Sequence, residues 1–101
     1  MFGTIARVTV QPGREDEFLA IGDQWTRERG EQTGQVAEYL FKTATPAQYF
    51  LVAIFRDRDA YYANAADPET DGWYRRMRAT LEADPEWHDG EVMHAQQLSE
   101  I

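Results

Sequence analysis

Three side chains in the second half of the chain have the types and the spacing needed to hold an aromatic ligand: Tyr61, Asn64 and Trp73. Tyr61 and Asn64 are three residues apart, so they share one face of a helix. Asparagine offers an amide donor and acceptor, tyrosine a phenolic hydroxyl, and tryptophan a flat wall with an N–H donor. These groups suit a planar polyphenol better than a charged metabolite.

Each of these residues also has a structural interpretation that the sequence leaves open. Asn64 precedes the sequence AADP and could simply end a helical segment. Trp73 shares a stripe with Met77 and Leu81, a pattern typical of a buried helix face. Trp25 completes the apolar stripe of an earlier helix, which indicates a core residue with only its edge near a cleft. The tyrosines are equally compatible with packing.

Other kinds of chemistry lack the residues that they need. The chain has no cysteine and a single serine, Ser99, so no activated nucleophile is evident. The sequence EWHDGE surrounds His88 with acids, but no suitably spaced second histidine supports a metal site. The glycines are scattered and form no phosphate loop. With 18 acidic and 10 basic residues the net charge is −8, which argues against a nucleic-acid partner.

The same composition predicts where the protein resides. The absence of cysteine fits a reducing compartment, and no apolar run approaches the roughly 18 residues of a membrane span. We therefore expect a cytoplasmic protein with no membrane partner. Its length of 101 residues predicts one domain, covering residues 1–101.

Hydrophobic periodicity predicts the order β-α-β-β-α-β, which is the ferredoxin-like α+β fold with an antiparallel sheet and both helices on one face. The first strand alternates, with Phe2 and Val8 on its apolar side. The first helix has acids in its first turn and Gly30 as its stop. The second helix is expected to break at DPETDG. The predicted strands are 2–10, 36–43, 49–55 and 91–98. The first predicted helix is 15–29, and the second runs over 58–66 and, after the break, over 73–83.

The third strand, Tyr49 to Phe55, is apolar at every position. Two helices cover only one face of a sheet, and a soluble monomer rarely exposes a contiguous apolar patch of more than a few hundred Å². We therefore expect a second copy to cover the other face, as a two-fold symmetric homodimer. The alternative cover is a flap made by the chain's own C-terminal sequence QQLSEI, which is short and polar.

Three segments carry a resemblance to a known family. They are the first strand followed by QPGREDEFLA, the stretch YFLVAIFRDRDAYYANAADPE, and WYRRM in the second helix. With these, the chain resembles the antibiotic biosynthesis monooxygenase family of dimeric α/β-barrel proteins over about residues 2–95. The resemblance implies that ferredoxin-like units pair into a dimeric α/β barrel. It also implies a pocket between the sheet and the second helix.

The resemblance further implies a cofactor-independent monooxygenase that oxidises an aromatic polyketide or quinol-like substrate with O₂. A deprotonated phenolic substrate is itself the reductant, so the protein need only orient it, stabilise its anion and exclude water. Asn64 falls close to the family's polar helix position, often histidine or asparagine, and Asn64 with Tyr61 is the catalytic pair that the resemblance implies, although the family's full residue set is not reproduced. Pro68 stands where a relative's tryptophan is expected. The expected substrate-binding residues are Trp73, Met77, Trp25 and His94.

No cofactor and no metal are expected. In heme-degrading members of the family an asparagine, a tryptophan and a histidine form the site, whereas Ala6, Asn64 and Trp73 stand at those positions here. Iron ligation would then need His88 or His94, neither of which lies on the helix. A second hypothesis, from another class of function, is a non-catalytic small-ligand-binding or stress-related dimer of the same fold.

Overall fold

A four-stranded antiparallel sheet carries three helices on one face. The chain is described here by a computed structural model over residues 1–99. The order of strands in the sheet is β2-β3-β1-β4, which confirms the predicted ferredoxin-like α+β fold. The strands are β1 (Phe2–Thr9), β2 (Gln35–Lys42), β3 (Gln48–Phe55) and β4 (Glu86–Glu91), and the helices are α1 (Glu15–Trp25), α2 (Arg58–Ala66) and α3 (Pro68–Arg78).

The predicted alternation of β1 determines which face of the sheet carries the helices. Phe2, Thr4, Ala6 and Val8 are buried beneath the helices, whereas Ile5 points to the other face and is exposed. One hydrophobic core forms at the end of the sheet where α1 crosses β3, and its buried members are Val8, Val10, Phe18, Tyr49 and Leu81. Burying each large apolar side chain contributes about 1.5–3 kcal/mol to folding. This packing holds α1 and α3 against the sheet.

The second helical region differs from the prediction. The break at DPETDG is confined to Asp67, whose side chain caps α3 by accepting a hydrogen bond of 2.9 Å from the backbone N–H of Glu69. Pro68 is the first residue of α3, a position where its missing N–H costs nothing. The Asp-Pro pair therefore starts a helix. That helix ends at Arg78, short of the predicted Ala83.

The end of the first helical region was also predicted wrongly. Gly30 has right-handed helical backbone angles and does not end the helical region. After Trp25 the chain continues through a π-helical turn, Thr26–Gly30, and a 3-10 turn, Glu31–Thr33. Gly34 ends them with a φ of 81°, a left-handed conformation that favours glycine. Its carbonyl then accepts a 2.8 Å hydrogen bond from the backbone N–H of Arg56.

The last strand is EWHDGE rather than the predicted 91–98. It pairs with β1 along one edge of the sheet, from Arg7 opposite Glu86 to Phe2 opposite Glu91. An edge strand contributes backbone hydrogen bonds on one side only and tolerates polar side chains, so it lacks the apolar alternation used to predict it. An ion pair between the side chains of Arg7 and Glu86 supports the pairing. His88 therefore lies within the strand and His94 beyond it.

The face of the sheet opposite the helices is open in the single chain. Ile5, Tyr39 and Phe41 are 48%, 49% and 56% exposed on it. Their partners across the ladder are Val52 of β3, opposite both Ile5 and Tyr39, and Phe50, opposite Phe41. The proposed flap does not cover this face, because its residues 96–99 are exposed and outside any strand; its last two residues lie outside the described part of the chain. Within residues 1–99 no helix has the length and apolarity to cross a membrane.

Candidate functional site

A cavity of about 830 Å³ lies between the helix-covered face of the sheet and the three helices. Its floor includes Leu51, Ala53 and Phe55 of β3, and Leu40 of β2. The aromatic and sulfur-containing lining from α1, α2, α3 and β4 consists of Phe18, Trp25, Tyr61, Tyr62, Trp73, Tyr74, Met77 and Trp87. A mostly apolar space with large flat side chains and a few polar tips is typical of a site for a planar small molecule.

Tyr61 is held in this cavity by α2. That helix begins at Asp57, whose side chain accepts a 2.7 Å hydrogen bond from the backbone N–H of Ala60. The Tyr61 ring then packs against Phe2 and Phe55, with centroids 5.2 and 5.4 Å away. Its hydroxyl donates a hydrogen bond of 2.8 Å to Oδ1 of Asp89 on β4. The phenol is thus fixed between α2 and the edge of the sheet.

The surroundings of Tyr61 keep its hydroxyl protonated. Burial, with the hydrogen bond to Asp89 as the second cause, raises the pKa of Tyr61 to about 12, while the nearby Thr4 hydroxyl acts in the opposite direction. A phenol with this pKa is neutral at physiological pH. Tyr61 therefore presents a protonated hydroxyl and an aromatic ring to the cavity at that pH.

Asn64 lies one helical turn beyond Tyr61 and also lines the cavity. Its Oδ1 accepts a hydrogen bond of 2.6 Å from the hydroxyl of Thr70 on α3. With that oxygen occupied, the amide Nδ2 is the group left to bind a ligand, and within residues 1–99 it donates to no protein acceptor. An amide fixed in this way is a preorganised donor for an oxyanion.

The sequence-predicted substrate-binding residues separate into two groups. Trp25, Trp73 and Met77 line the cavity, and the two indoles meet edge to face with centroids 6.2 Å apart. The guanidinium of Arg76 lies over the Trp73 ring at 4.7 Å from its centroid. His94 does not line the cavity, because it follows the end of β4 and is exposed to solvent.

None of the four carboxylates in the lining was predicted as a site residue, and two of them, Asp89 and Glu38, have no ion-pair partner among the described residues. Asp89 belongs to the polar edge strand that sequence periodicity misses. Glu38 lies in β2, where its register opposite Ala53 turns it toward the helices. The sequence signal for Glu38 was a single charged residue within the otherwise apolar sequence VAEYLF. Thr4 and Thr70, both in the lining, carried no such signal.

Glu38 is placed in a way that favours its protonated form. Burial raises the pKa of the Glu38 carboxyl, and the hydrogen bond with the Thr26 hydroxyl opposes that effect in part. The Thr26 hydroxyl also lies 3.0 Å from the carbonyl oxygen of Gly22. The Thr26 hydroxyl has one proton to share between the Glu38 carboxyl and this carbonyl, so its support for the ionised carboxylate is only partial.

The charged side chains in the lining are all acidic: Asp23, Glu38, Asp71 and Asp89. Asp23 pairs with Arg27, and Asp71 accepts a salt bridge of 2.8 Å from Arg75. Among the residues described, no lysine, arginine or histidine lines the cavity.

The positions of the histidines bear on heme binding. His88 stands opposite Ile5 in the ladder and so points to the face away from the cavity, where it contacts Glu86. A heme in the cavity would therefore have no imidazole from residues 1–99 as an axial ligand. Over the same residues no cluster of three or more potential metal ligands occurs.

Comparison with known proteins identifies the fold over nearly the whole chain. SnoaB, a cofactor-independent oxygenase from Streptomyces nogalater crystallised as an asparagine-to-alanine mutant, is 22% identical with a TM-score of 0.79, covering 98% of this chain and 97% of its own. A crystal structure of an antibiotic biosynthesis monooxygenase is 17% identical with a TM-score of 0.75, covering 93% of this chain and 100% of its own. Rv0793 from Mycobacterium tuberculosis is 16% identical with a TM-score of 0.75, covering 97% and 98%.

These similarities establish a shared fold. No curated protein matches the chain significantly.

The model of the family described as antibiotic biosynthesis monooxygenase matches residues 1–76, which include β1, α1, β2, β3, α2 and most of α3. Membership in that family supports a function of monooxygenase type. The chain belongs to the antibiotic biosynthesis monooxygenase family.

Proposed function

We propose that this protein is a cofactor-independent monooxygenase that oxidises an aromatic polyketide or quinol-like substrate with O₂. The observation that carries the proposal is the Asn64 amide, held by Thr70 at 2.6 Å and presenting its free N–H donors in an aromatic cavity. A donor of this kind stabilises a phenolate or enolate as it forms. The similarity in fold to SnoaB, named as a cofactor-independent oxygenase, supports the same reaction class.

The proposed reaction uses the substrate as the electron donor. Loss of a phenolic proton gives an anion that Asn64 binds through Nδ2. The anion transfers electrons to O₂, and one oxygen atom forms a bond to the ring carbon opposite the phenolic oxygen. The other oxygen atom leaves as water with the C–H and O–H hydrogens that the substrate loses, so that a phenol- or anthrone-type ring becomes a quinone. Trp25 and Trp73 hold the ring plane, and Tyr61 closes the end of the cavity near β4. The role of the protein is orientation and exclusion of water.

We further propose that the active form is a homodimer, with the open face of the sheet covered by a second copy. The support is the exposed set Ile5, Tyr39 and Phe41 beside Val52 of β3. The charges at the margin of this face, Arg7 and Glu86, neutralise each other and leave the patch itself apolar. A self-complementary apolar sheet face suits an isologous two-fold interface.

Oxygen uptake tests the proposed function. Purified protein is mixed with an anthrone or a hydroquinone in the presence of a metal chelator and without flavin, and O₂ consumption is followed with an electrode. We expect catalysed uptake that saturates with substrate and is strongly reduced in Asn64→Ala. A rise in melting temperature with these compounds and no uptake would instead identify the non-catalytic ligand-binding dimer.

A further inference from the structure

We propose that the cavity has a cation-binding end, formed by Thr4 and Asp89, and that it selects an aromatic substrate carrying a protonated amino group. This inference rests on the proposed function for the aromatic part of the substrate. It adds a specificity that the family resemblance does not supply, because it depends on Asp89 of the edge strand β4. The family match ends at residue 76, before this strand begins.

The geometry of the two strands brings these side chains together. Thr4 of β1 and Asp89 of β4 are direct partners in the antiparallel ladder, and both line the cavity. Side chains that are opposite each other in such a ladder have Cβ atoms roughly 4.5–5.5 Å apart. A single small group can therefore contact both.

Thr4 provides the first observation that points to a ligand at this end. The residue is only 4% exposed, and its Oγ1 forms no hydrogen bond of normal geometry among the described residues, although its hydroxyl is near enough to the Tyr61 hydroxyl to lower the pKa of that phenol. A buried hydroxyl that lacks a well-formed hydrogen bond destabilises the fold. Because Thr4 lines the cavity, a ligand donor group that reaches it would satisfy this oxygen.

Asp89 provides the second sign. Its Oδ1 accepts the Tyr61 hydroxyl, and within residues 1–99 no basic side chain forms an ion pair with it. Asp23 and Asp71, by contrast, are paired with Arg27 and Arg75. Asp89 lies on an exposed edge strand, and among the described residues the only side chain that contacts its carboxylate is the neutral phenol of Tyr61. An ammonium group would supply the absent positive charge and still donate to Thr4.

The aromatic surroundings favour a cation at this end as well. Tyr61 and Trp87 line this part of the cavity. Tyr62 also lines it, but the guanidinium of Arg58 already lies over its ring, 5.5 Å from the centroid. Aromatic faces attract an ammonium group through their quadrupoles. The same unneutralised carboxylate repels a ligand carboxylate, so the cavity discriminates by charge.

Three matched probes test this assignment: 9-(aminomethyl)anthracene, 9-anthracenemethanol and anthracene-9-carboxylate, which are cationic, neutral and anionic at pH about 7. Binding of each is measured by titration calorimetry or fluorescence under nitrogen, with the wild type, Asp89→Asn, Thr4→Val and Asp59→Asn. Asp59 is exposed on α2 and outside the cavity, so its variant removes the same charge elsewhere. Thermal melting confirms that each variant is folded.

We expect the amine to bind the wild type about tenfold more tightly than the alcohol, with the carboxylate weakest. Asp89→Asn should remove most of that preference, Thr4→Val should weaken the amine about threefold, and Asp59→Asn should leave the order unchanged. An unchanged order in Asp89→Asn, equal binding of alcohol and amine, or no binding of any probe would overturn the proposal. So would an equal loss in Asp59→Asn.

The outcome is separate from that of the proposed function. The probes bind without O₂, whereas the proposed function is tested by O₂ uptake with an unsubstituted anthrone or hydroquinone. If the protein ranks the probes as expected but consumes no O₂, the cation-binding end is supported and the oxygenase function is refuted. If it consumes O₂ and binds all three probes alike, the oxygenase function is supported and the cation-binding end is refuted.

Discussion

The hydroxyl of Thr70 donates a hydrogen bond of 2.6 Å to Oδ1 of Asn64, across the junction between α2 and α3. The junction is one residue long, because Asp67 ends α2 and caps α3. The first turn of α3 therefore returns toward the last turn of α2. This arrangement fixes the orientation of an amide at a helix end, where an isolated side chain would rotate.

We predict that Asn64→Ala affects turnover more than folding. Removing a donor to a developing anion raises the barrier by roughly 2–4 kcal/mol, a rate loss of about 30-fold to 1,000-fold. The free energy of unfolding should change by about 1 kcal/mol or less, because Asn64 is only half-buried and lies at a helix end. Oxygen uptake and thermal melting on the same preparation measure both. Full activity with a large fall in melting temperature would make Asn64 structural.

Thr70→Val tests whether Thr70 positions that amide. Valine keeps the size of threonine but removes the hydroxyl, so Asn64 remains present and becomes free to rotate. We expect kcat to fall about threefold to tenfold with KM little changed, and Thr70→Ser to restore most of the loss. Steady-state oxygen uptake with all three proteins provides the comparison. If serine fails to rescue, the methyl group of threonine rather than its hydroxyl is what the site needs.

The raised pKa of Glu38 predicts a specific dependence of stability on pH. The folded protein retains a proton on Glu38 at pH values where the unfolded chain, with the ordinary pKa of 4.5, has lost it. The contribution of this group to stability is therefore largest below pH 4.5 and declines as pH rises through the folded pKa. Glutamine imitates the protonated carboxyl, so Glu38→Gln should gain stability relative to the wild type over that window.

Chemical denaturation of both proteins between pH about 4 and 8 measures this difference. Glu82→Gln is the matched control, since Glu82 is exposed and lies outside the cavity. Parallel stability curves for the wild type and Glu38→Gln would mean that the Glu38 carboxyl is ionised in both states.

Val52→Asp tests the proposed dimer. Val52 lies on the open face of the sheet, between Ile5 and Tyr39 in neighbouring strands. If a second copy covers this face, an unpaired carboxylate there costs on the order of several kcal/mol, enough to dissociate the dimer or unfold the chain. Analytical ultracentrifugation at micromolar concentration should give a dimer for the wild type.

Ala63→Asp is the control for that experiment, because Ala63 is exposed on α2 and outside the cavity. It should sediment like the wild type. A wild-type protein that is monomeric at micromolar concentration would refute the dimer, whatever the behaviour of the variants.

The sequence by itself determined the order of the first three strands and of the helical regions, and the shared helix face of Tyr61 and Asn64. Both follow from local periodicity: β1 alternates with period two, and a spacing of three residues on α2 places two side chains on one face. The apolar third strand likewise predicts that both faces of β3 are covered, and the cover of the second face stays a prediction. These features depend on the spacing of residues that are close together in the sequence, so they can be predicted without the tertiary structure.

Only the tertiary structure decided that Thr4, Tyr61 and Asp89 meet. Their meeting depends on the register of β1 against β4, and a slip of one residue would turn Asp89 to the opposite face of the sheet. The edge strand EWHDGE has no apolar period from which to read that register. The polar end of the cavity is therefore set by long-range backbone pairing, which local sequence patterns do not encode.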